Sequence, residues 1–214
     1  MTEKRRGRPR SFDREAALRK AVDAFWEHGY EPTSVSDLTE AMGIGAPSLY
    51  AAFGDKKTLF LEAVEVYLHD WGGFTRRALA EEPTARRAVR RVLREAAENY
   101  TLPGRPPGCM VTNAAVNCGD TSREVAERLR GLRLGNMAAI RDRIRADAAA
   151  GLLPAGADPA ALAAFVAAVM QGMSQQARDG AGRAELEAVA EAAMAAWPGT
   201  GETADHGTAD AAAD

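Results

Sequence analysis

The stretch from Thr33 to Lys56, TSVSDLTEAMGIGAPSLYAAFGDK, constrains this chain more than any other. Thr33 or Ser34 can open a first short helix with a hydroxyl cap, and Ser34 has Asp37 three residues on, as in a capping box. Val35, Leu38 and Met42 give that helix one apolar stripe at helical spacing. Gly43 ends it, because glycine tolerates the left-handed conformation a helix C-terminus favours. Ile44 can plug the turn. Gly45-Ala46-Pro47-Ser48 then opens a second helix, with proline in the first turn, where a missing N–H costs nothing. Leu49 and Phe53 anchor it inward, leaving Ala46, Pro47, Ser48 and Ala51 outward. This is the pattern of a helix-turn-helix, and its second helix is narrow enough to enter a DNA major groove.

Composition agrees with a helical protein. The chain is rich in Ala, Arg, Glu and Leu and has few β-branched residues outside short apolar runs, which favours an all-α fold. The formal charge of -3 averages two poles. Residues 1–10 hold Lys4, Arg5, Arg6, Arg8 and Arg10 against Glu3, whereas residues 198–214 hold Glu202, Asp205, Asp210 and Asp214 and no Lys or Arg. A basic arm against an acidic tail is expected of a nucleic-acid binder. The N-terminus is basic and polar with no apolar core behind it, so it does not read as a signal peptide. The longest apolar run, Ala160 to Met170, is shorter than the roughly 20 residues a bilayer needs and reads as a buried helix. Two cysteines, Cys109 and Cys118, are too few for a disulfide scaffold and fit a reducing cytoplasm.

The segments AFWEHGYEPTSVSDL and AMGIGAPSLYAAFGDKKTLF, with the basic arm before them, resemble the DNA-binding domain of TetR-family transcriptional regulators from Phe12 to about Tyr67. The match is gap-free and covers roughly the first third of the chain. The resemblance implies a ligand-responsive regulator, a repressor released from a palindromic double-stranded DNA operator by a small-molecule effector. It implies a homodimer, with no catalytic activity, cofactor or membrane. Tyr50 stands where the family places a tyrosine whose hydroxyl meets a phosphate, and Lys56 matches a phosphate-contacting lysine. Where the family usually carries Lys or Arg this chain has Ala46, and Pro47 stands where many members have Gly. A second helix so poor in donors favours apolar contacts to thymine methyls and a larger part for the arm, whose arginines suit a minor groove. The expected DNA-facing set is Arg8, Arg10, Thr33, Ser34, Gly45, Ala46, Pro47, Ser48, Tyr50 and Lys56.

The rest of the chain reads as helices in series, about nine in all. A disordered arm (1–11) precedes the DNA-binding domain (12–57), a ligand-binding and dimerisation domain (58–197) follows, and a disordered acidic tail (198–214) ends the chain. Asp13 caps helix 1, whose inner stripe is Leu18, Ala21, Val22 and Phe25. Asp55 caps a helix carrying Leu59, Phe60, Ala63, Val64, Tyr67 and Trp71 inward, with Gly72-Gly73 as a bend. Thr84 caps the next helix, to about Tyr100. The loop Leu102 to Gly108 holds three prolines and two glycines and breaks the chain. A short helix spans Cys109 to Asn117, Ser122 caps another, and Asp158-Pro159 is a strong start signal. The last two helices, to about Asp179 and Trp197, carry apolar faces suited to a two-fold four-helix interface.

Tyr67, Trp71, Tyr100, Cys109, Asn113, Asn117, Met170 and Met173 are the candidate lining of a ligand pocket; aromatic and Met positions at this spacing also serve as plain core. Cys109 opens the segment GCMVTNAAVN at a helix N-terminus, where the dipole favours a thiolate. Electrophile-sensing members of the same family carry a similar Gly-Cys start, so a thiol-reactive sensor of the same fold is the alternative. A DNA-organising protein and a helical enzyme with Cys109 as nucleophile are further readings; the second lacks a recognisable base. The three histidines, His28, His69 and His206, have no zinc spacing with either cysteine.

Overall fold

The computed structural model describes residues 12–114, 119 and 122–198. Among them are ten α-helices, one π-turn and no strand. The helices are α1 (Arg14–His28), α2 (Val35–Met42), α3 (Ala46–Phe53), α4 (Lys56–Tyr67), α5 (Phe74–Glu81), α6 (Ala85–Asn99), α7 (Met110–Asn113), α8 (Arg123–Ala149), α9 (Pro159–Arg178) and α10 (Arg183–Ala195). The sequence predicts a helix from Asp55 with a bend at Gly72-Gly73, and the interruption falls there. The break is a π-turn, Leu68–Gly72, into which α4 passes, and α5 starts afresh after Gly73. A Cβ on Gly72 would lie 2.7 Å from the Tyr67 ring, and one on Gly73 would lie 2.8 Å from the Leu68 carbonyl oxygen. Only hydrogen fits at either place, so the glycine pair permits the widened turn.

The expected caps form with one exception. Asp13 accepts from the backbone N–H groups of Glu15 and Ala16, Asp55 from Thr58, Thr84 from Arg87 and Asp158 from Ala160. Ser122 does not cap α8. Its hydroxyl is drawn instead to the Glu31 carboxylate, which ties the start of α8 to the turn before α2. The helix expected from Cys109 is a single turn, Met110–Asn113, in the described residues.

Two apolar clusters hold the molecule. The first joins α1 to α4 through Leu18, Val22, Phe25, Leu38, Leu49 and Phe60, and also takes in Met110, Val111, Val125 and Leu129. The second packs α5, α6 and α8 to α10 around Val92, Leu93, Ile140, Ile144, Met173 and Trp197. Burial of this kind stabilises by about 1.5–3 kcal/mol per large side chain. Polar ties join the two parts. Lys57 meets Glu124 at 2.6 Å and Arg128 meets Glu65 at 2.7 Å, both between α4 and α8. Arg19 of α1 reaches Asp70 of the π-turn at 2.7 Å.

The tightest crossing is Gly108, at φ +79°. Its carbonyl accepts the buried Trp26 indole N–H at 3.0 Å. Its own N–H donates to the Tyr100 carbonyl at 2.9 Å. A Cβ here would lie 2.6 Å from the Ser174 carbonyl oxygen. Gly108→Ala combines a left-handed alanine with a backbone clash, and should destabilise the protein by about 2–4 kcal/mol. Urea unfolding monitored by circular dichroism would measure it.

Candidate DNA-binding surface and body cavity

The helix-turn-helix forms as the residues require. Ser34 Oγ accepts from the Asp37 N–H at 3.1 Å, and Asp37 Oδ2 accepts from the Ser34 N–H at 2.8 Å. The backbone hydrogen bond from Ser34 is the main reason the Asp37 carboxyl is held below its ordinary range. Gly43 takes the left-handed conformation at φ 69°. Its N–H bonds Glu40 and that of Ile44 bonds Thr39, a Schellman closure. The half-buried Ile44 packs on the first core cluster. Gly45 caps α3 by backbone alone, and Leu49 and Phe53 hold α3 to the core.

Of the expected DNA-facing residues, Ser34, Gly45, Pro47 and Tyr50 are exposed, and Ala46, Ser48 and Lys56 are half-exposed. Tyr50 is 50% exposed. Thr33 departs from the expectation. Its side chain is 1% exposed and its hydroxyl donates to the Gly29 carbonyl at 2.6 Å, so it closes the α1–α2 turn and presents nothing outward. Ser34, not Thr33, is the cap. The Lys56 ammonium lies 4.4 Å from the centre of the Tyr30 ring and 3.3 Å from the Glu31 carbonyl oxygen, on the edge of α4 beside the turn. Arg8 and Arg10 lie outside the described residues.

The body holds a cavity of about 90 Å³. Tyr67, Tyr100, Cys109 and Met170, four of the expected ligand residues, line it. Burial pushes the phenols of Tyr67 and Tyr100 well above their ordinary range, so both are proton donors. The Tyr67 hydroxyl lies 3.5 Å from Cys109 Sγ. Three expected residues are spent elsewhere. The Asn113 amide donates to the Pro107 carbonyl at 3.3 Å, and its oxygen accepts from Ser174 at 3.2 Å. Trp71 packs on Trp26, with the Arg105 guanidinium 4.5 Å from its ring centre. Met173 is buried in the second core cluster. Asn117 lies outside the described residues. Sequence reasoning missed Thr75, Thr112, Arg133, Asn136 and Gln171, which supply most of the polar lining. Leu68 and Gly72 of the π-turn also line the cavity, which places it against the link between α4 and α5.

Comparison with known proteins fits this arrangement of a helix-turn-helix head on a hollow helical body. The family model described as bacterial regulatory proteins, tetR family, matches residues 17–63. A second, described as the tetracyclin repressor-like C-terminal domain, matches residues 83–193. The HTH-type transcriptional repressor ComR of Escherichia coli (strain K12) is 35% identical over 196 residues, which is 91% of this chain and 93% of ComR. A cysteine mutant of the TetR-family regulator CifR, solved with 26 bp double-strand operator DNA, is 44% identical. The match covers 89% of this chain and 100% of CifR, with a TM-score of 0.84. A TetR regulator from Chloroflexus aurantiacus J-10-FL has a TM-score of 0.72 at 25% identity, over 85% of this chain and 92% of that one. These observations define a helix-turn-helix transcriptional regulator. The chain belongs to the tetR family of bacterial regulatory proteins.

Among the described residues no helix is long and apolar enough to cross a membrane, and no cluster of three or more His, Cys, Asp or Glu could hold a metal ion.

The capping box gives a pH test. Because the folded Asp37 carboxyl titrates below its ordinary value, its contribution is present above about pH 4 and is lost as pH falls through the folded value. Asp37→Asn should therefore lower the melting temperature at pH 7, and its difference from wild type should shrink below about pH 4. A difference that persisted undiminished to pH 2 would show that the charge is not the cause.

Proposed function

We propose that this protein is a homodimeric repressor that holds a palindromic operator through its helix-turn-helix heads and leaves it when a small effector enters the body cavity. The observation that carries this reading is the cavity's position, walled by the π-turn through which α4 leaves the head. The repressor names of ComR and of other relatives, and the operator bound by CifR, support the direction of control. In this reading residues 12–57 are the DNA-binding part and residues 58–197 sense the ligand and dimerise, in the compartment that holds the DNA. Neither catalysis nor a cofactor is part of the reading. Cys109 as an enzyme nucleophile lacks a partner base, since the lining residues include no His, Asp or Glu.

The proposed DNA face comprises Arg8 and Arg10 of the arm with Ser34, Gly45, Ala46, Pro47, Ser48, Tyr50 and Lys56. Ser34 and Tyr50 offer hydroxyl donors, and Lys56 an ammonium, to phosphates. Phosphate contacts position a protein without reading bases. Lys56→Ala should thus weaken binding to operator and to unrelated DNA about equally. It should also flatten the plot of log affinity against log salt by about 0.9. An unchanged slope would remove Lys56 from the face.

Dimerisation is assigned to α9 and α10. The solvent face of α9 carries Ala161, Ala164, Phe165, Ala168 and Gly172, and that of α10 carries Ala184, Ala188 and Ala192. These small residues allow helices to approach closely, and Phe165, at 40% exposed, is the largest group among them. A two-fold four-helix packing would bury both faces. Phe165→Glu should yield a folded monomer in light scattering at micromolar concentration, with weakened operator binding. A variant that remained a dimer would move the interface elsewhere.

A second reading makes Cys109 the sensor, with an electrophile as effector. The Tyr67 hydroxyl beside its sulfur and the opening of the cavity onto it favour this. The helix-dipole argument does not, because α7 is one turn and the Cys109 N–H is already held by Ser174 Oγ at 2.8 Å. Cys109→Ser should keep operator binding and lose release by alkylating agents. If release persists in that variant, the effector is non-covalent.

A further inference from the structure

The lining of the body cavity carries a single formal charge. Arg133 of α8 lines it, and no Asp, Glu or Lys does. Burial keeps the Tyr67 and Tyr100 phenols protonated, so they add no negative charge. Arg14, Arg91, Arg105 and Arg143 are half-buried like Arg133, and each meets a carboxylate. Among the described residues the Arg133 guanidinium meets none, and donates from Nη1 to the Val111 carbonyl at 3.0 Å. That bond steadies the fork and leaves its Nε–Nη2 edge, which can hold a carboxylate by two parallel hydrogen bonds.

The lining is also ordered by polarity. On α8, Arg133 and Asn136 stand one turn before Met137 and Ile140 respectively. On α9, Gln171 stands one turn beyond Ala167. The two helices pack on each other as a hairpin, so their polar lining residues meet at one end and their apolar ones at the other. Asn136 and Gln171 are exposed and form the mouth. Phe74, Met137, Ile140 and Met170 belong to the second core cluster, which places the apolar end against it. At about 90 Å³ the cavity is smaller than the roughly 150 Å³ that accepts a benzene ring, so the apolar part of a ligand is short.

Charge then selects among ligands. An uncharged molecule closing this mouth strips water from the guanidinium and returns no opposite charge, and a cation is repelled. A phosphate monoester brings nearly two negative charges to one guanidinium. Resting on the effector reading above, we propose that the cavity binds a short-chain monocarboxylate, its carboxylate on the free edge of Arg133 between Asn136 and Gln171. Its hydrocarbon chain points toward Met137, Ile140 and Met170.

Butanoate is a suitable probe, and butanamide is its uncharged counterpart of the same shape. The full chain, labelled with ¹³C at methionine methyls, is titrated with each in the absence of DNA. Butanoate should shift the Met137 and Met170 methyl signals and leave that of Met42 in the head core unmoved. Its midpoint should lie at least tenfold below that of butanamide. Arg133→Gln should raise the butanoate midpoint at least tenfold and leave the butanamide midpoint unchanged, a loss of preference that a merely structural arginine would not produce. The proposal is overturned if wild type binds butanamide as tightly as butanoate, if neither moves the Met137 and Met170 signals, or if Arg133→Gln keeps the preference for butanoate. Should Arg133→Gln fail to fold, the comparison of the two probes in wild type decides alone. A chain that binds butanoate yet keeps its operator would count against the effector reading alone.

Discussion

The crossing at Gly108 sets the geometry of everything around it. The backbone there touches α1 through the Trp26 indole, the end of α6 through the Tyr100 carbonyl, and α9 through the Ser174 carbonyl. No side chain has room at such a point, and the positive φ excludes a β-carbon for a second reason. The next residue continues the pattern: the Cys109 N–H takes Ser174 Oγ, and that hydroxyl donates to Asn113. A buried indole N–H without its acceptor would lose about 1–3 kcal/mol, so the loop, α1 and α9 hold one another in place. The Trp26 ring then packs edge-on against Tyr67, centroids 4.7 Å apart, and this carries the junction into α4.

The head and the cavity are thus two ends of one packed column. Trp26, Tyr67 and Trp71 stand between them, and the π-turn that follows Tyr67 forms part of the cavity wall. A π-turn interrupts the i→i−4 ladder and is one of the few identified causes of a sharp change in helix direction. Asp70, held by His69 and Arg19, pins the turn to α1 through its carboxylate. A ligand shifts such an element only by the difference in its affinity for two arrangements. A group held in the cavity would lie against Leu68 and Gly72 of the turn itself, where the arrangement of α4 against α5 is decided.

Most of the local architecture was legible because caps and stripes are local. Asp13, Ser34, Asp55, Thr84 and Asp158 cap the helices that the sequence marks for them. The apolar positions at helical spacing in α1 and α4 are buried. What could not be read depends on partners distant in the chain. Ser122 carries the signature of a cap, but Glu31, 91 residues away, takes its hydroxyl. Asn113 reads as a polar group awaiting a ligand, yet Ser174, 61 residues on, and Pro107 take its amide. Thr75 has no distinguishing sequence context, and its place in the lining appears only once α5, α8 and α9 close a cavity beside it. The break at Gly72-Gly73 was visible as a bend. That it would be a π-turn was not, because the clash with the Tyr67 ring that a β-carbon would cause is a tertiary fact.

The composition of α3 bears on how such a regulator would distinguish its site. Its outward positions offer Ala46, Pro47, Ser48, Tyr50 and Ala51, and none of them is an amide or guanidinium able to make a two-bond contact to a base edge. Each such contact contributes about 1–3 kcal/mol of discrimination, and this helix forgoes them. On the proposed face, recognition then falls to methyl contacts with thymine, to minor-groove shape read by the arm, and to the spacing of two heads fixed by the dimer. Spacing is the one of these three that a cavity in the body can alter. A head that reads few bases through side-chain hydrogen bonds would depend more on that spacing for its specificity, and so would be more readily released by a small movement of α4.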